Sequence, residues 1–97
     1  MGAAVEIARF RVAPEAEQGL VAAWPAMVDA MKRAHPGLRN VHLVRFEDGT
    51  WADIAVWADT ESAEQACTVA PLPEVEAFFG HIAEDVSMDV TTLVGER

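Results

Sequence analysis

The chain has 97 residues, a net charge of −9 and 52% hydrophobic residues, which is one small domain (1–97) with no room for a second. Its seven Lys and Arg form no cluster, so the basic footprint that nucleic acid or an anionic membrane surface requires is missing. A lone Cys67 excludes an internal disulfide framework, no apolar run approaches the ~18 residues of a membrane span, and the opening residues lack a signal-peptide pattern, so a cytoplasmic protein is expected.

Ala4 to Val12 reads as a strand. Val5, Ile7, Arg9 and Arg11 share one face, while Glu6, Ala8, Phe10 and Val12 share the other, because side chains alternate along a strand. Pro14 suits a helix start, and Glu15 and Glu17 complement the helix dipole. Leu20, Trp24, Met27, Val28 and Met31 then recur at helical spacing, a stripe whose ordinary role is core packing. Pro25 removes a helical hydrogen bond to Val21, predicting a kink or a helix in two pieces. His35-Pro36-Gly37 ends the helix. A hairpin follows from Val41 to Trp57, turning at Asp48-Gly49. A two-residue loop there sets Phe46 opposite Trp51, Val44 opposite Asp53, His42 opposite Ala55 and Asn40 opposite Trp57. A three-residue loop with a bulge at Gly49 would slip the pairing by one. The shorter loop is preferred because it keeps Val41, Leu43, Ile54 and Val56 on one aliphatic face. Asp59 or Thr60 can cap a second helix ending near Cys67, which is read as a small buried hydrophobe. A third helix begins near Glu74, with Val75, Phe78, Phe79 and Ile82 on its buried stripe and His81 off it, in solvent. Ser87 to Val94 is a last strand.

This element order, βαββαβ, predicts an α+β, ferredoxin-like fold with a four-stranded antiparallel sheet in the order 4-1-3-2. Helices can cover one face of such a sheet. The bare face, and an apolar content high for so short a chain, predict a homodimer through the sheets.

The run Ala52-Asp53-Ile54-Ala55-Val56-Trp57-Ala58-Asp59-Thr60-Glu61-Ser62-Ala63 resembles the third strand and following helix of the antibiotic biosynthesis monooxygenase-like family. So do the residues from Val5 to Pro14 and the stretch His35-Pro36-Gly37-Leu38. The resemblance implies a dimeric α/β barrel, with a ligand cavity between sheet and helices in each protomer. Members that oxidise aromatic polyketides carry Asn, three residues, then Trp on the third strand. Asp53 and Trp57 stand at those positions, so the amide is replaced by a carboxylate. Their first-strand Asn is absent from Ala8-Arg9-Phe10. The haem-degrading branch places an Asn and a Trp where Ala8 and Ala66 stand, leaving only His81 for iron, which argues against haem.

On the preferred register, Asp53 and His42 are diagonal neighbours on a mixed face, and a carboxylate beside an imidazole makes a base near neutral pH. The catalytic expectation is therefore His42 as base, oriented by Asp53. Trp57 and Trp51 would wall an aromatic or polyketide-like substrate, with Asn40 and Arg9 donating to an oxyanion. The resemblance then implies deprotonation of a phenol or enol whose anion reacts with O2, with no cofactor. A cyclase or isomerase using the same base, and a non-enzymatic dimeric binding module, are the alternatives.

Overall fold

A computed structural model describes residues 2–97. Its elements follow the expected order: β1 (Ala4–Arg11), a 3-10 turn (Pro14–Ala16), α1 (Glu17–Ala34), β2 (Leu38–Arg45), β3 (Thr50–Trp57), α2 (Thr60–Ala66), α3 (Pro73–Phe79) and β4 (Glu84–Thr92). The four strands form an antiparallel sheet in the order β2-β3-β1-β4, the predicted ferredoxin-like arrangement. The helix starts are chemically legible. The Asp59 carboxylate accepts the Ser62 N–H at 2.7 Å and caps α2, which also holds that carboxyl below its usual range. α1 runs through Pro25 as one helix and ends at His35. Among the described residues, no helix is long and apolar enough to cross a membrane.

Strand parity places the core. β1 and β3 pair Ala4 with Trp57, Glu6 with Ala55, Ala8 with Asp53 and Phe10 with Trp51, and all eight face the helices. Phe10 and Trp51 pack with Leu20, Met27 and Val28 of α1 and Phe78 of α3. Ala4, Ala55, Trp57 and Leu38 pack with Ala63 of α2. Trp57, Phe10, Phe78 and Leu20 are fully buried, each contributing roughly 1.5–3 kcal/mol of apolar burial. The alternate residues Val5, Ile7, Ile54 and Val56 lie on the opposite face and join neither cluster.

The hairpin register differs from the expected one. Gly49 N–H donates to Phe46 O at 3.0 Å and Phe46 N–H to Thr50 O at 2.7 Å, which closes a three-residue loop, Glu47-Asp48-Gly49. Gly49 has φ of 89°, the left-handed corner that such a loop with a bulge requires. Asp48 secures the corner by accepting the Thr50 N–H at 3.0 Å and the Thr50 hydroxyl at 2.6 Å, and these bonds lower its pKa. The extra loop residue shifts the pairing by one, so Leu43 faces Asp53, Val41 faces Ala55 and His42 faces Ile54. An irregularity between Leu38 and Asn40 restores Leu38 to Trp57. Val41 and Leu43 therefore point toward the helices, and His42 and Val44 point away with Ile54. The expected aliphatic set is split between the two faces.

Candidate active site

Between the sheet and the helices lies a cavity of about 200 Å³. β1 and β3 supply its floor through Glu6, Ala8, Asp53, Ala55 and Trp57, and α1 roofs it with Met27, Val28 and Met31. β2, α3 and β4 complete the wall with apolar side chains, and the exposed Cys67 after α2 stands at its mouth. A cavity of roughly 150 Å³ admits benzene, so this one has room for a substituted aromatic ring.

Two carboxylates project into this apolar space, and each is held by an indole. Trp24 Nε1–H donates to Asp53 Oδ1 at 3.0 Å, and Trp57 Nε1–H donates to Glu6 Oε1 at 3.2 Å. Glu6 and Asp53 are diagonal neighbours across the β1–β3 pair, since Glu6 faces Ala55 and Ala8 faces Asp53. Burial pushes the Asp53 carboxyl up to about 6; the Trp24 hydrogen bond opposes that shift, and the Glu6 charge adds to it. Cys67 Sγ lies 3.9 Å from Glu6 Oε2, and burial followed by the Glu6 charge raises the thiol pKa.

Of the residues singled out from sequence, the structure brings Asp53 and Trp57 to the cavity and takes the others elsewhere. His42 is exposed on the opposite face, paired with Ile54, because the loop shift reverses the parity of β2. It does not meet Asp53. Asn40 registers with Val56 on that same open face, and its Oδ1 is buried without a hydrogen-bond partner. Arg9 also faces outward. Its guanidinium donates to the Thr50 hydroxyl at 2.9 Å, pairs with Asp48 at 3.2 Å and lies 4.1 Å from the Phe46 ring centroid, bracing the hairpin turn. Trp51 faces the helices but is packed in the core with Phe10 and Leu20, beneath the Arg45 guanidinium. Cys67 is exposed rather than buried. His81 is half-buried against α1, where its ring fills the space beside Gly19. No histidine lines the cavity, so the residues present do not fit a haem ligated by His81.

Sequence reasoning missed Glu6 and Trp24 as site residues. The signal for Glu6 was a carboxylate on the strand face shared with Ala8 and Phe10. Trp24 sits on a helical stripe that reads as core, and periodicity says nothing about where an indole N–H points.

The sequence model of a family described as "Antibiotic biosynthesis monooxygenase" matches residues 3–68. No curated protein matches the chain. Among solved structures, a conserved protein from Methanosarcina mazei Go1 superposes with a TM-score of 0.75 at 14% identity, covering 95% of this chain and 93% of that one. A variant of SnoaB, a cofactor-independent oxygenase from Streptomyces nogalater, gives 0.74 at 19% identity, with 99% and 97% covered. A protein from Nitrosomonas europaea gives 0.74 at 13% identity, with 97% and 93% covered. At these identities the structural likeness is one of fold.

Proposed function

Because the chain belongs to the antibiotic biosynthesis monooxygenase family, we propose that it is a monooxygenase-like enzyme in which Asp53 deprotonates a small phenol or enol held in the cavity. The observation that carries this reading is a carboxylate aimed into an apolar space with its pKa raised to about 6. Such a base is ionised at neutral pH yet binds a proton far better than an exposed aspartate, which is the balance general-base catalysis favours. Trp24 fixes Oδ1 through its indole N–H, leaving Oδ2 for the substrate. Trp57 forms a flat wall, and the methionines of α1 exclude water and adapt to ligand shape.

Asp53 takes the proton, and the electron pair left on the substrate attacks O2, forming a C–O bond. Asp53 returns its proton to the distal peroxide oxygen. Loss of water then breaks the O–O bond and the remaining C–H bond, converting an activated CH2 and O2 into a ketone and H2O. In this reading O2 is the oxidant and no flavin or metal takes part. The assembly is a homodimer closed through the open sheet face, supported by the half-buried apolar Val5, Ile7 and Ile54 on that face and by the family's barrel architecture.

Oxygen uptake with a panel of anthrones and naphthols tests the proposal. Turnover should rise with pH through about 6 as Asp53 ionises. Asp53→Asn should lower kcat by about 10²–10⁴-fold, whereas His42→Ala should leave it unchanged. Wild-type turnover in Asp53→Asn would refute Asp53 as the base.

A further inference from the structure

Resting on the reading that this cavity holds the substrate, we infer that the substrate carries a basic amine, bound as its ammonium ion against Glu6 while Asp53 faces the proton to be removed. Among the described residues, the cavity is lined by two carboxylates and no cation. Its other titratable lining group is the Cys67 thiol, and α1, β2, α3 and β4 offer it only Met, Val, Leu and Phe side chains. The ion pairs of the described residues lie elsewhere: Arg9 with Asp48, Arg11 with Glu84, Arg39 with Glu96 and Arg45 with Glu17. Glu6 and Asp53 have only neutral donors, the two indole N–H groups and, on Glu6, the Cys67 thiol. Two carboxylates in an apolar space without a counter-charge are costly, and the cost is relieved by a positive ligand.

The raised affinity of Asp53 for a proton is the same electrostatics acting on the smallest cation available. A ligand anion meets the opposite field. Deprotonating an uncharged phenol here only moves the negative charge from Asp53 to the substrate, leaving two uncompensated charges with Glu6, whereas a substrate ammonium brings its own compensation. A divalent metal ion fits less well, because a hard cation needs several oxygen ligands and the described residues contain no group of three or more His, Cys, Asp or Glu able to hold one. An ammonium with an apolar body matches two acceptors set in a hydrophobic wall.

The test is calorimetric titration of the full chain near neutral pH with three probes of similar size: benzylamine, benzyl alcohol and benzoate. Benzylamine should bind on the order of tenfold tighter than the alcohol, as expected for hydrogen bonds between charged partners, and benzoate weakest. The preference should shrink at about pH 5, where Asp53 is mostly protonated, and disappear in Glu6→Gln combined with Asp53→Asn. Both amides keep an oxygen for the indole N–H groups, so the fold retains those bonds. Benzoate or benzyl alcohol binding as tightly as benzylamine, no binding of benzylamine, or a preference that survives the double substitution would overturn the inference. Oxygen uptake is read separately. Amine preference without any oxygen consumption defeats the oxygenase reading alone, and turnover restricted to uncharged anthrones defeats the amine inference alone.

Discussion

Asp53→Asn has a stability signature that can be worked out before any substrate is known. In the folded chain the Asp53 carboxyl is raised from an ordinary 3.8 to about 6, a shift of about two units at roughly 1.4 kcal/mol each. A raised carboxyl pKa means that the fold disfavours the charged form. The wild type therefore suffers no penalty below about pH 3, where Asp53 is neutral in both folded and unfolded chains, and a full penalty of roughly 3 kcal/mol above about pH 7. Asparagine is never charged, and its side-chain oxygen can still accept from Trp24. The variant should match wild type near pH 3 and exceed it by up to about 3 kcal/mol near pH 8. Urea unfolding at the two pH values measures this as a midpoint shift with unchanged slope. An Asp53→Asn variant less stable than wild type at alkaline pH, or a difference independent of pH, would refute the electrostatic account of the cavity.

Trp24→Phe removes the N–H that favours the ionised carboxylate, so the Asp53 pKa should climb above 6 and the acid limb of any rate profile should move to higher pH. The same variant should lose about 1–2 kcal/mol near neutral pH and little in acid, by denaturant titration. Gly49→Ala forces a side chain into φ of 89° and should cost about 1–2 kcal/mol in thermal unfolding; unchanged stability would deny the left-handed corner. Ile54→Glu places a charge at the centre of the open sheet face. It should shift sedimentation from dimer to monomer while leaving the far-ultraviolet circular dichroism intact, and an undisturbed dimer would reject that interface.

Much of the fold is written locally. Pro14, the His35-Pro36-Gly37 stop and the Asp59 cap mark their elements without long-range information, and the alternation from Val5 to Phe10 correctly separates inward from outward residues. The hairpin register was less accessible. Both faces of β2 and β3 carry aliphatic residues, so shifting the pairing by one still groups apolar side chains, and hydrophobic pattern alone has little power to choose. The decision came from Asp48 and Gly49, whose hydrogen bonds and backbone angle favour the longer loop. One residue in that loop moved His42 out of the site. Asp53 could be recognised as unusual for a central strand, but its partner could not. The indole that orients it comes from a helix 29 positions earlier in the chain.

β4 gives the site an unusual outer wall. Met88 lines the cavity and is also 58% exposed, and Val86 and Val90 on the same edge strand are bare as well. Pressure on that strand from outside is thus transmitted directly to the volume inside. A neighbouring subunit resting on it would reshape the binding space, so small-molecule affinity would depend on how concentrated the protein is. Titrating one ligand into dilute and then crowded samples would reveal association through occupancy alone.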